Sequence, residues 1–326
     1  MIMFSAFCAL LMLAIPHIIY VVGWLVTLFT KGHIRYAPFG WTALGLAVAV
    51  LLLLSYGYFI GRWQITTKDI EYAHSDVPQA FDGFKIVHVS DLHLSTFDDS
   101  PERLEEFVEV INNQSADLIC FTGDLVTMGR KEAEPYTETL AKMKARYGVV
   151  SVLGNHDFLI YDRRLKSDKE RRAAVEGLAD YEVNTLGWKL LRDSSMRIEA
   201  ADGSCITIVG VDNKNCINQG FRTINEGDLG KAMKGVEGFC VLLSHDPSHW
   251  DAEVVPDTDI PLTLSGHTHA AQISIFGWTP ASFMFKRAYG RYEEDGQTLY
   301  VNPGLGCTAP FRIGARPEVT VIILHR

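Results

Sequence analysis

The stretch at residues 117–126, DLICFTGDLV, decides how this chain is read. Leu118–Phe121 has the length and unbroken apolar character of a buried strand, and Thr122-Gly123 interrupts it. Asp124 is thereby delivered to the strand's carboxyl end, where open α/β sheets place their chemistry. An Asp before Leu-Val-Thr also suits a helix cap, and taken alone that is the plainer reading. Its company changes the balance. Asp91-Leu92-His93, Gly154-Asn155-His156-Asp157, His245 and Gly266-His267-Thr268-His269 each follow an apolar run of their own.

Working outward, residues 65–72 read as a first strand and FKIVHV at 84–89 as a second, which delivers Ser90-Asp91-Leu92-His93. Ser100-Pro101 gives a start signal for a helix whose apolar positions Leu104, Phe107, Val108 and Ile111 fall on one face. A second helix is expected over 135–146, leading into a strand at 149–153 that delivers Gly154-Asn155-His156-Asp157. The order βαβαβ, with polar clusters on successive βα loops, favours parallel strands. After a charged helical region at 168–180 the pattern changes to shorter strands at 189–191, 196–199, 206–211, 240–244, 261–264, 299–302 and 319–325. No internal repeat or low-complexity tract appears. The expectation is an α/β chain with one large domain over 62–326, built on two packed sheets.

The first 61 residues differ in kind. Lys31 and Arg35 are their only charged side chains, and the apolar runs around them exceed the roughly 20 residues needed to cross a bilayer. Two transmembrane helices are therefore expected near 4–29 and 39–60, forming a two-helix anchor over 1–61 ahead of the catalytic domain. Trp24, Tyr36, Trp41, Tyr58 and Trp63 lie near the span ends, as interfacial aromatics do. A cleaved leader is disfavoured, because a basic n-region is missing and the apolar run is too long. Pro16-His17 reads as a kink. A cell-membrane, multi-pass placement follows; the basic residues flanking the spans are too evenly divided to assign a side to the large domain.

With 326 residues, 48% of them hydrophobic, the chain can bury a sizeable core. Of its net charge of −9, residues 1–61 contribute +2 and the remainder, with 28 basic against 39 acidic side chains, −11, which argues against a nucleic-acid partner held through the general field. The six cysteines are dispersed without a CxxC pair and imply no disulfide framework.

Carboxylate and imidazole are the donors that hold hard divalent ions engaged in Lewis-acid work. Asp91, His93, Asp124, Asn155, His245, His267 and His269 supply such a set on loops that a sheet can converge. One bridging carboxylate can hold two ions roughly 3.5 to 4 Å apart, an arrangement suited to in-line displacement at phosphorus. Asp124 is the natural bridge, and Gly123, Gly154 and Gly266 beside the ligands let the backbone present them.

Asp-x-His, Gly-Asp, Gly-Asn-His-Asp, a lone His and Gly-His-x-His, in that order, resemble the calcineurin-like metallophosphoesterase superfamily. Ser244-His245-Asp246-Pro247, Gly210-Val211-Asp212, Asn302-Pro303-Gly304 and Arg316-Pro317-Glu318 are similar to its membrane-associated YkuE-type and YaeI-type phosphodiesterase branch. The resemblance covers about 65–326 and implies a four-layer αββα sandwich, two sheets flanked by helices, with two divalent ions (Mn, Fe, Zn or similar). It assigns Asp91, His93, Asp124 and His269 to one ion, and Asp124, Asn155, His245 and His267 to the other. It gives a metal-bridging hydroxide as nucleophile and His156 as the residue that stabilises the phosphoryl group or protonates the leaving oxygen, with Asp157 orienting it. It implies a phosphoester substrate; with the two-helix anchor, a lipid-linked phosphodiester or pyrophosphate of the cell envelope is the first expectation, UDP-diacylglucosamine, which relatives in the wider family cleave, is a specific alternative, and a soluble phosphoester is another. Relatives of the branch often carry Gly-Gly after the last His, where this chain has Ala270-Ala271, which bears on substrate geometry.

Other readings stand beside these. A degenerate membrane scaffold is the non-enzyme alternative, opposed by the intact set of ligands together with His156. His88, in mid-strand, reads as structural, and His17, His33, His74, His249 and His325 have no motif around them. Asp212 is either a ligand-orienting residue or a turn Asp. Ile275-Phe276-Gly277-Trp278 and Phe283-Met284-Phe285, followed by Lys286-Arg287, suit either a lipid headgroup surface or packing within the protein.

Overall fold

The computed structural model describes residues 2–220 and 222–326, which form two compact units. One comprises the residues through Trp63 together with Pro310–Ile313, and the other comprises Gln64–Ala309 with Gly314–Arg326.

In the first unit, α1 (Ile2–Thr30) and α2 (Ala37–Phe59) are the two expected apolar helices. Both are long and apolar enough to cross a membrane, with a mean hydropathy of 2.2 in each. Their leucines, isoleucines and valines are largely exposed, unlike those of a soluble core helix. Tyr36, at the turn between them, shares a hydrogen bond with His17 Nε2 (2.6 Å) and packs edge-on against Tyr20.

The second unit is built on two six-stranded sheets. The first holds β1 (Thr66–Ala73), β12 (Glu318–His325), β2 (Lys85–Val89), β3 (Leu118–Phe121), β4 (Val149–Ser151) and β5 (Lys189–Leu190), side by side in that order. The second runs β10 (Gly290–Glu294), β11 (Gln297–Val301), β9 (Leu262–Ser265), β8 (Cys240–Leu243), β7 (Cys205–Gly210) and β6 (Ser194–Glu199). β2, β3 and β4 pair in parallel, with His88 opposite Cys120 and Cys120 opposite Val150.

Period-2 alternation explains why both faces of the central strands are apolar. Ile86, Leu118, Cys120 and Val150 of the first sheet meet Ile206, Ile208, Val241, Leu243 and Leu264 of the second in one core. The intervening Val209, Cys240, Leu242 and Val301 face outward and are covered by Trp250, Val254, Leu229 and Ala232. Helix α3 (Pro101–Asn112) buries Leu104, Phe107, Val108 and Ile111, as its spacing predicts. Further along lie the single turn α4 (Thr137–Leu140) and α5 (Asp168–Asp180), the latter opened by a capping box between Ser167 and Glu170.

The helix expected over 135–146 is reduced to α4 and a preceding 3₁₀ turn. The Asn112 side chain captures the backbone just beyond α4: its Nδ2 donates to Lys142 O and its Oδ1 accepts from Lys144 N–H. β10 lies outside the expected strands. It is an edge strand with charged residues on its open face, so no apolar alternation marks it.

Candidate metal centre

Every motif on a βα loop arrives at the carboxyl ends of the central strands. β2 delivers Asp91 and His93, β3 delivers Asp124, β4 delivers Asn155 and His156, β8 delivers His245, and β9 delivers His267 and His269. Five of these residues, Asp91, His93, Asp124, His267 and His269, have φ between 39° and 71°. Left-handed backbone is costly for such side chains, and clustered strain of this kind marks a site held in shape by its surroundings. Gly123 supplies backbone freedom, with φ 94°, while Gly154 and Gly266 supply space: a Cβ on Gly154 would lie 2.2 Å from Asp124 Oδ1, and one on Gly266 would lie 2.2 Å from Asp91 Oδ2.

The Asp124 carboxylate lies between two groups of donor atoms. Its Oδ2 is 3.4 Å from His93 Nε2 and 3.2 Å from His245 Nε2. On the first side, His93 Nε2 and His269 Nε2 are 3.0 Å apart, with Asp91 Oδ1 3.3 Å from His269 Nε2. On the second, Asn155 Oδ1 lies 3.1 Å from His245 Nε2 and 2.7 Å from His267 Nδ1, and the two imidazole nitrogens are 3.3 Å apart.

The tautomers on the second side follow from the outer contacts. His245 Nδ1 donates to the Thr122 carbonyl (2.7 Å), so in the neutral ring its Nε2 carries the lone pair. His267 Nε2 faces Gln219 Oε1 (3.1 Å) and Asp246 Oδ2 (3.5 Å), both acceptors, so its lone pair is on Nδ1. Asn155 Nδ2 donates to Tyr161 Oη (3.2 Å), which turns Oδ1 inward. With the His245 ring neutral, lone pairs from two imidazoles, an amide and a carboxylate converge on this side. A divalent cation fits that donor set, and in its absence a proton on His245 Nε2 faces Asp124 instead.

Burial shapes the charges. It pulls the His245 imidazole down, but Asp124 and then Asp91 offset this and leave it raised to about 10 in the ion-free protein. Burial, reinforced by Asp124, pushes Asp91 up to about 6. For Asp124 the desolvation is outweighed by His245, His156 and His93, which hold it well below the usual carboxylate range. Asp124 therefore stays anionic at the centre.

His156 faces the cleft, whereas Asp157 does not orient its ring as the resemblance implies. His156 lines a cleft of about 450 Å³ with Asp124, Asn155, Tyr161, His267, His269, Met284 and Phe285. Its backbone N–H donates to Asp124 Oδ1 (2.8 Å), and its Nδ1 donates to the Thr127 carbonyl (2.8 Å). Thr127, rather than Asp157, is what orients the ring. Asp157 is fully buried and accepts from the backbone N–H groups of Asp124 (2.7 Å), Gly154 (2.9 Å) and Val126 (3.2 Å), tying two ligand loops together. Desolvation and the nearby Asp124 push it up to about 7.

Several contributors carry no motif of their own. Asp246 accepts from Asn215 Nδ2 (2.9 Å) and Gln219 Nε2 (2.8 Å), so a loop distant in sequence supports His267. Asp246 lies in the Ser244-His245-Asp246-Pro247 motif, which marks its neighbourhood but not its contact with His267. Asp212 is engaged by Arg192 (2.9 Å). His88 is buried between the sheets, bonded to Thr122 Oγ1 (2.9 Å), and desolvation lowers it to about 3. His249 is also interior, with Nδ1 2.9 Å from Ser244 Oγ.

The calcineurin-like phosphoesterase family matches residues 84–271, and the chain belongs to it. It is similar to the Bacillus subtilis (strain 168) metallophosphoesterase YkuE, at 33% identity over 281 residues that cover 82% of this chain and 89% of that one. The Danio rerio transmembrane protein with metallophosphoesterase domain is 29% identical over 293 residues, covering 87% of this chain, which spans 63% of that longer protein. The UDP-2,3-diacylglucosamine pyrophosphatase LpxG of Chlamydia trachomatis is 25% identical over 281 residues, covering 74% of this chain and 83% of that one. The chain is a phosphoester hydrolase of a generally dimetal-dependent family, with His and Asp groups placed to bind metal.

Proposed function

We propose that residues 1–61 anchor a catalytic domain, 62–326, that hydrolyses a lipid-linked phosphodiester or pyrophosphate at the cell membrane. The observation that carries the reading is the position of Asp124 Oδ2 between His93 Nε2 and His245 Nε2, each with further donors converging beside it. Asp91, His93, Asp124 and His269 would hold one divalent ion, and Asp124, Asn155, His245 and His267 the other. Bound there, the pair supplies Lewis-acid polarisation of phosphoryl oxygens and lowers the pKa of water.

The chain's own residues do the rest. His156, with Nδ1 fixed on the Thr127 carbonyl, keeps Nε2 for the cleft; protonated, it donates to a phosphoryl or leaving oxygen. Asp157 holds the Asp124 and Gly154 backbones in register, and Asp246 with Gln219 holds the His267 ring. Two helices apolar enough to span a bilayer, and a relative named as a transmembrane protein, support the membrane placement.

A relative named as a UDP-2,3-diacylglucosamine pyrophosphatase favours a second reading, in which that nucleotide lipid is the substrate. Detergent-purified full chain, supplied with divalent ions, is assayed on UDP-diacylglucosamine and on bis-p-nitrophenyl phosphate. Release of UMP selects the second reading, and turnover of the small diester alone supports the reaction class with another lipid as substrate. No turnover with any divalent ion contradicts both.

A further inference from the structure

We propose that the loop of residues 273–285 inserts its tip into the interfacial layer of a lipid bilayer and leads the cleft's apolar wall to that surface. Ile275 and Trp278 exchange both backbone hydrogen bonds (2.9 and 3.0 Å), closing a two-residue turn with Phe276 and Gly277 at its tip. Both tip residues have positive φ, 51° for Phe276 and 83° for Gly277. Turns of this geometry favour Asn or Gly at the first position, so a Phe there works against its own backbone.

The Phe276 ring gains nothing inside the protein in return, for it is completely exposed. Phe283 is 85% exposed and packs edge-on against Trp278, with ring centroids 5.7 Å apart. Ile275 and Met284 complete an apolar surface around them.

The loop is fixed in this position. Thr279 Oγ1 donates to Ala270 O and Thr268 Oγ1 donates to Ala288 O, both ties ending in the His267–His269 segment or the residue beside it. Ala281, Phe285 and Ala288 pack with Ile217 beneath it, and the Phe285 ring lies against His267, with centroids 5.4 Å apart. The outward aromatics are thus built onto the backbone that presents the candidate ligands.

Lipid is the occupant that these features fit. The short segment from Phe59 at the end of α2 to Thr66 at the start of β1 reaches at most roughly 25 Å when extended. A domain so tethered to two helices of mean hydropathy 2.2 works close to a membrane surface. Trp, Phe, Ile and Met with no added charge suit the interfacial layer. The neighbouring cations do not make a headgroup site: Lys286 bonds Asp251 (2.8 Å), and Arg287 pairs with Asp251 (3.0 Å) and Glu294. That corrects the cationic part of the sequence expectation and leaves an electrically neutral patch. From it, Met284 and Phe285 continue into the cleft beside Ala271 and Ala309, an apolar path for an acyl chain whose phosphoryl end lies near Asp124. The acyl path rests on the proposed hydrolase reading; insertion of the tip does not.

The test uses full-length protein reconstituted in phosphatidylcholine vesicles with or without brominated acyl chains, comparing tryptophan emission of wild type and Trp278→Phe. A bromine-quenched component that the substitution removes, unchanged when anionic lipid is added, is expected. An unquenched Trp278 component overturns the insertion and would point to a protein partner instead. In mixed micelles, Phe276→Ser/Phe283→Ser should raise KM for a long-chain phosphodiester about tenfold while bis-p-nitrophenyl phosphate turnover stays the same. Equal loss on both substrates, or none on either, overturns the acyl path. A wild type inactive on both substrates contradicts the hydrolase reading, while the quenching result still decides insertion.

Discussion

Asp246 Oδ2 lies 3.5 Å from His267 Nε2, on the opposite side of the ring from the nitrogen that faces Asn155 and His245. Gln219 Oε1 shares the same imidazole N–H at 3.1 Å. A carboxylate behind a ligating imidazole fixes its tautomer and raises its basicity. Asp246→Asn should therefore weaken binding at the site holding His267 by roughly 10- to 100-fold. Competition with a fluorescent chelator measures this. Turnover recovering at saturating metal is the expected signature, and unchanged affinity would remove Asp246 from the site.

His156→Ala should lower kcat on bis-p-nitrophenyl phosphate by on the order of 10²-fold or more. Metal content and thermal midpoint should be retained, because the His156 side chain is tied to the Thr127 carbonyl on the cleft wall. Wild-type turnover in the variant would take the proton-donor role away from His156.

Glu182 is fully buried, accepts from Ser151 Oγ (2.6 Å), and is pushed up to about 8 by desolvation and then by Asp157. The folded pKa is raised, so the stabilising protonated form is complete below the ordinary Glu value and is lost as pH rises toward and through 8. Wild type should lose thermal stability between about pH 5 and pH 8.5, and Glu182→Gln should lose less over the same window. Parallel Tm profiles for the two proteins would show that Glu182 is ionised in the fold.

Ala271 is exposed and has φ 47°, next to Ala270 at φ 51°. These are the positions where the resembling branch often carries Gly-Gly. An Ala in left-handed backbone costs roughly 1 kcal/mol that Gly does not. Ala271→Gly should raise Tm without changing metal content; a lower Tm would mean that the methyl group packs usefully.

The central strands and the site were legible for the same physical reason. Strands buried on both faces are short apolar runs, and each ends at a Gly, Asp, Asn or His that cannot continue it, as at Phe121-Thr122-Gly123-Asp124. What lay beyond reading was set by contacts distant in sequence. Asn112 cuts short the helix expected after Pro135, Gln219 and Asn215 reach Asp246 from another loop, and a backbone carbonyl, invisible in a list of side chains, holds His156. Asp157 looked like the partner of His156 because it is adjacent, but the turn sends its carboxylate inward to three backbone N–H groups.

The central claim is that Asp124 joins two ion sites. Its most direct test is the metal stoichiometry of full-length protein after equilibrium dialysis against Mn²⁺, compared with Asp124→Asn. Wild type should hold two ions per chain and the variant fewer than one, because Oδ2 faces both donor groups. A variant that still binds two ions with wild-type affinity would contradict the bridge.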